Sequence, residues 1–173
     1  MLSAGLLAFA CPNCRSLPGE SRALSSGGRE AHIILEKARD TLANQRVFAA
    51  RRVGYGAQPT SGCWALTVLV KYDPNAKTTL TEIARFTTHP AVKLYALAGL
   101  MALDPAHDPD LKSLGIPASA HRRVECLDGC DGEVLPLSRA AARLRQSNPS
   151  NYIYETLPPL LATTDCQSLT GID

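Results

Sequence analysis

The segment between residues 61 and 103 constrains the fold of this 173-residue chain more than any other part. It consists of three mainly apolar stretches, separated by turns at Pro74 and Pro90. Ser61 is a suitable helix cap, and proline is favoured at the first position of a helix. The pattern therefore predicts three consecutive helices packed against one another. The predicted core side chains are Trp64, Leu66, Leu69, Ile83, Leu94, Leu97 and Met101.

The chain before this segment predicts a tail, one helix and a loop. Residues 1–28 are rich in Pro, Ser and Gly and have no sustained periodicity, so we interpret them as a tail or signal remnant. Apolar residues recur at helical spacing over residues 31–50, which predicts an amphipathic helix. Residues 51–60 contain two glycines and a proline and predict a loop. Residues 29–173 are expected to form a single helical domain.

A small β-hairpin is predicted near residues 122–136. Two apolar ends flank the Asp-Gly pairs that begin at Asp128 and Asp131, and this dipeptide is typical of tight hairpin turns. Because such a turn brings its flanking residues together, we expect Cys126 and Cys130 to form a disulfide. A short helix is expected to follow, starting near Ser138.

Residues 88–100, Thr-His-Pro-Ala-Val-Lys-Leu-Tyr-Ala-Leu-Ala-Gly-Leu, resemble the second helix of a HEAT repeat. That family begins this helix with an Asp-Pro-x-Val-Arg-like turn; here His89 and Lys93 stand at the Asp and Arg positions. The resemblance covers about residues 76–104 and implies helix pairs stacked in series. A solenoid normally needs at least three repeats, so the expected fold is mostly α, a compact HEAT-like helical bundle with the small hairpin near residues 122–136.

Charge and composition argue against nucleic acid as a partner. The 18 basic and 16 acidic residues give a net charge of +2 and are interspersed, without a block that could follow a phosphate backbone. The sequence contains no Gly-rich phosphate loop and no metal-loop spacing of acidic residues, so neither a cofactor nor a metal is predicted.

The N-terminus resembles the end of a bacterial lipoprotein signal. A short apolar run, Leu6-Leu7-Ala8-Phe9-Ala10, leads directly to Cys11, and the resemblance implies lipidation of that cysteine. A plain apolar N-terminus is the alternative. Six cysteines are many for a reduced cytosolic protein of this length, which favours export to a periplasm or cell envelope. The cytoplasm is the alternative location, and contact with a membrane is expected only through such a lipid anchor.

The segment from Gln58 to Leu66 resembles the nucleophile segment of papain-like cysteine peptidases. The resemblance implies that Cys63 is the nucleophile and that Gln58 supports an oxyanion hole, with His121 as the base; a smaller cell-wall peptidase could use such a nearby histidine. A cysteine at a helix N-terminus has a lowered pKa, which suits this role. The alternative is a structural cysteine buried in the core beside Trp64.

Two functions follow from these observations. The first is a non-catalytic, exported interaction or structural module, for instance an envelope lipoprotein, whose partner is another protein. The second is a thiol hydrolase that uses Cys63, His121 and Gln58. We favour the first, because the seven residues after Cys63 are apolar apart from Thr67 and therefore direct the cysteine inward.

Overall fold

The computed structural model describes residues 23–54, 57–117 and 121–158. By its internal contacts the chain divides into a unit of residues Met1–His32 and a unit of residues Ile33–Asp173. The described residues of the first unit, 23–32, are helical. The architecture below is that of the second unit.

Helices and strands both contribute to the described part of the chain. The helices are α1 (Ala23–Ala43), α2 (Ser61–Tyr72), α3 (Ala76–Phe86), α4 (Pro90–Leu103) and α5 (Leu137–Gln146), with a 3-10 helix at Pro149–Tyr152. The strands are β1 (Val47–Val53), β2 (Gln58–Pro59), β3 (Arg123–Gly129) and β4 (Asp131–Pro136).

The prediction of a mostly α, HEAT-like bundle is wrong, because the four strands form one mixed sheet of order β2-β1-β3-β4. β1 is parallel to β3, while β2 and β4 are antiparallel to their neighbours. The helix pair α3–α4 exists, but the chain continues after it into the sheet and not into another helix pair. The fold is therefore an α/β mixture.

Two strands were not predicted, the two-residue β2 and the longer β1. The longer strand, β1, occupies residues that were assigned to the end of the first helix and to the loop, since α1 ends at Ala43 and β1 starts at Val47. Three buried residues in succession open β1, so it lacks the alternation that marks a half-buried strand. Its parallel partner β3 starts 70 residues after β1 ends, a separation that local periodicity does not reveal.

The three helices predicted between residues 61 and 103 are confirmed as α2, α3 and α4. Of the predicted core residues, Ile83 and Met101 are partly buried and the others are buried. α4 is the central element, because it contacts α2, α3, α5, β1 and β3. Every residue from Ala91 to Leu100 is buried, as expected of a helix that is apolar on all sides.

Two glycines allow the helices to approach one another closely. A Cβ added at Gly99 in α4 would lie 2.7 Å from Leu80 Cδ1 and 2.8 Å from Leu66 Cδ1. A Cβ added at Gly62 in α2 would lie 2.4 Å from Tyr95 Cζ. The packing of α4 against α2 and α3 therefore requires the absence of side chains at both positions.

The predicted hairpin is confirmed as β3 and β4, joined by a turn at Gly129 and Cys130. Gly129 has a φ of 61°, a conformation that favours glycine. After α5 the chain crosses β1 and α2: the Tyr154 amide donates to Thr67 Oγ1 at 2.9 Å, and its hydroxyl accepts from the Thr60 amide at 2.9 Å.

Candidate functional site

Basic side chains from three parts of the chain converge at the start of α4. Arg46 Nη1, from the segment between α1 and β1, lies 2.5 Å from each ring nitrogen of His89. Arg122, just before β3, donates from Nη1 to the Thr88 carbonyl oxygen at 2.6 Å. We call Arg46, His89 and Arg122 the basic cluster. None of the ion pairs formed among the described residues includes a member of this cluster.

The electrostatics of the basic cluster favour an anion. Burial, followed by the charges of Arg46 and Arg122, lowers the pKa of His89. His89 occupies the N-cap position of α4 without a side-chain capping hydrogen bond, so the positive end of the helix dipole adds to the same potential. The lowered pKa favours the neutral imidazole of His89, so the positive charge of the cluster comes from Arg46 and Arg122, which have no paired carboxylate and could be neutralised by a ligand.

A buried lysine lies close to this cluster. Lys93, in the first turn of α4, donates from Nζ to the carbonyl oxygens of Ala84 at 2.6 Å and Leu114 at 2.9 Å. Burial and then the charge of Arg122 lower the pKa of Lys93. Because Arg122 acts on both Lys93 and His89, the positive potential extends inward from the surface.

An apolar groove begins at His89 and runs between the end of α1 and α3. Its volume is about 500 Å³, and Ala43, Ile83, Phe86 and His89 are among the residues that line it. Phe86 is 83% exposed, the most of any described large apolar side chain. Glu82 also lines the groove and forms no ion pair with the basic cluster. We call this surface the Phe86 groove.

Cys63 is buried as the sequence predicted. It lies in the first turn of α2 with 0% exposure, and its Sγ donates a hydrogen bond to the Ala49 carbonyl oxygen at 3.2 Å. A thiol in this position contacts the sheet and has no surface through which a substrate could approach it. The geometry thus supports a structural role for Cys63.

The other two residues of the hydrolase hypothesis are on the surface. His121 is exposed directly before β3, and Gln58 is exposed in β2. An exposed imidazole and a thiol without exposed surface cannot act together on one substrate unless the core opens.

The disulfide expected between Cys126 and Cys130 stays a prediction; in the described structure both residues carry free thiols. Cys126 faces Glu133 across the hairpin, whereas Cys130 lies at the tip beyond the Asp128–Asp131 pair. Burial and then Glu133 raise the pKa of the Cys126 thiol to about 11, so this group is unsuited to nucleophilic chemistry.

The predicted lipidation site, Cys11, lies outside the described residues, as do Cys14 and Cys166. Among the described residues, no group of three His, Cys, Asp or Glu side chains is placed to hold a metal ion. No helix in this part of the chain is both long enough and apolar enough to cross a membrane.

Comparison with protein-family models, with curated proteins and with solved structures gives no match to this chain.

Sequence reasoning missed the basic cluster and the Phe86 groove. Arg46 and Arg122 are 76 positions apart, and they meet at His89 because each lies just before one of the neighbouring strands β1 and β3, against which α4 packs. A local signal existed at Phe86, an aromatic residue at the end of α3 next to Thr87 and Thr88. The sequence gives no indication of whether such a residue faces the core or the solvent.

Proposed function

We propose that this chain is a non-catalytic interaction module that binds an extended segment of a partner protein in the Phe86 groove. The observation that carries the proposal is the position of an 83% exposed phenylalanine beside basic residues that have no carboxylate partner. Aromatic side chains and arginines are both enriched among the residues that anchor protein interfaces. The cysteine content favours an exported protein, so we expect the partner in a cell envelope, with the cytoplasm as the alternative.

The chemistry of the groove specifies the segment that fits it. A bulky apolar side chain of the partner would cover Phe86 and Ile83, removing their surface from water. Acidic residues next to that side chain would neutralise the basic cluster, where charge complementarity also accelerates association. The expected ligand is therefore a peptide segment in which carboxylates flank a large apolar residue.

The test uses two labelled peptides and the full chain. One peptide carries a phenylalanine and a leucine flanked by glutamates, and the other has lysines in place of the glutamates. We expect the glutamate peptide to bind more tightly by at least about tenfold, and its affinity to fall when salt is raised from about 0.05 to 0.5 M. Backbone amide shifts on binding should map to residues 82–89.

Two variants and two controls separate the groove from unspecific attraction. F86A and R46Q should each weaken binding of the glutamate peptide by about tenfold. V134A, at another exposed apolar residue, and R139Q, at an exposed arginine of α5, should leave it unchanged. Equal binding of the two peptides, or wild-type binding by F86A and R46Q, contradicts the proposal.

A further inference from the structure

A large cleft lies at the carboxyl ends of the two parallel strands. It has a volume of about 570 Å³, and its lining includes Arg51 and Arg52 from the end of β1 and Asp128 from the end of β3. Asn151 and Glu155, from the segment after α5, also line it. Open α/β sheets place ligands at the carboxyl ends of parallel strands, and this volume lies in the usual range of about 300–1,000 Å³. We call it the strand-end cleft.

The strand-end cleft contains charges of both signs that are not paired with each other. Arg51 Nη1 donates to the Ile153 carbonyl oxygen at 3.2 Å, and Arg52 Nη1 to the Ala57 carbonyl oxygen at 3.4 Å. Both guanidinium groups are therefore positioned by neutral acceptors. None of the ion pairs among the described residues includes either arginine, Asp128 or Glu155. The cleft can thus bind an anionic and a cationic group at the same time.

A smaller cavity adjoins the cleft and is partly apolar. Its volume is about 240 Å³, and Asp128 and Asn151 line both spaces. Its apolar lining includes Phe48 and Tyr152, whose rings are stacked with centroids 4.7 Å apart, and Leu144. At its edge Arg143 and Glu133 form an ion pair of 2.5 Å and neutralise each other.

We propose that the strand-end cleft binds a free α-amino acid with an aromatic side chain. The carboxylate of the ligand pairs with Arg51 and Arg52, and its ammonium group pairs with Asp128 and Glu155. The aromatic group enters the smaller cavity beside Tyr152 and Leu144. This site uses other residues than the Phe86 groove, and either proposal can fail without the other.

The experiment compares L-phenylalanine with three analogues that each lack one feature. 3-Phenylpropionate lacks the ammonium group, phenethylamine lacks the carboxylate, and glycine lacks the aromatic group. Titration of the full chain, followed by calorimetry and by backbone amide shifts, should show the tightest binding for L-phenylalanine and at least tenfold weaker binding for each analogue. The shifts should map to residues 50–52, 128 and 151–156.

Single substitutions test which residue binds which group of the ligand. R52Q should reduce the affinity for L-phenylalanine by about tenfold but leave that for phenethylamine, which has no carboxylate, unchanged. D128N should likewise reduce the affinity for L-phenylalanine but leave that for 3-phenylpropionate, which has no ammonium group, unchanged. R139Q and E30Q, at exposed residues outside both proposed sites, serve as controls, and thermal unfolding verifies that each variant is folded. The proposal is overturned if L-phenylalanine does not bind at millimolar concentration, if a singly charged analogue binds as tightly, or if the shifts map elsewhere.

Discussion

Tyr95 of α4 and Ala49 of β1 are joined in both directions: the Tyr95 hydroxyl accepts from the Ala49 amide at 2.9 Å and donates to the Ala49 carbonyl oxygen at 3.3 Å. The Cys63 thiol donates to that same carbonyl oxygen. β2 pairs only with Arg52 and Val53, so these polar groups of Ala49 have no strand beside them. Side chains from two helices replace the missing strand: Tyr95 of α4 and Cys63 in the first turn of α2.

We expect Y95F to destabilise the protein by about 1–3 kcal/mol, because it leaves the buried Ala49 amide without its acceptor. Urea unfolding followed by circular dichroism measures this change. Y72F is the matched control, since Tyr72 is 59% exposed, and it should change the free energy of unfolding by less than about 0.5 kcal/mol. Similar values for the two variants would mean that the hydroxyl of Tyr95 contributes nothing specific.

G62A should destabilise the protein by about 1–3 kcal/mol, because the new methyl group would overlap the ring of Tyr95 and force α2 and α4 apart. G28A is the control: Gly28 is in α1 with no atom within 4 Å of the added carbon. G28A replaces a helical glycine without a clash, so it should leave the free energy of unfolding unchanged or raise it by up to about 1 kcal/mol. Thermal unfolding compares both variants; an unchanged G62A would contradict the close packing.

The three described cysteines should react with iodoacetamide in a fixed order in the gently reduced native protein. Cys130 is exposed and should react first. Cys126 should be slower, because a thiol with a pKa of about 11 is only about 0.1% thiolate at pH 8. Cys63 should remain unmodified until the protein unfolds, and peptide mass mapping assigns each site. Rapid alkylation of native Cys63 with an apparent pKa well below about 8.5 would instead favour the hydrolase.

Asp73 should make stability depend on pH below about 4. Burial by itself raises the pKa of its carboxyl group, but hydrogen bonds from Arg39, the Asn75 amide and Thr79 outweigh burial and leave the pKa below its usual value. The stability that this carboxylate contributes is therefore present above its unfolded-state pKa and is lost as pH falls through the folded-state pKa.

The corresponding variant is D73N. We expect it to lower the free energy of unfolding by about 1–3 kcal/mol at pH 7 and by clearly less at pH 3, where the aspartate of the unfolded chain takes up a proton and the advantage of the native carboxylate shrinks. D104N, which removes only a 4.0 Å ion pair with Lys77 at the surface, should have little effect at either pH. If D73N lowers the free energy of unfolding equally at both pH values, the negative charge of Asp73 is not what stabilises the protein.

The sequence alone determined the helical centre of this protein. Caps, proline positions and continuous apolar stretches are local signals, and they located α2, α3, α4 and the β3–β4 hairpin. The inward direction of Cys63 followed from the apolar residues after it.

Only the tertiary structure decided how these elements combine. β1 becomes a strand because β3, 70 residues further on, supplies its hydrogen-bonding partner, and no local pattern records such a pairing. The same strand order brings Arg46 and Arg122 to His89, and it places Arg52 and Asp128 at one end of the sheet. Helix formation depends on residues that are close together in the sequence. Both candidate binding sites depend instead on contacts between residues that are far apart in the sequence.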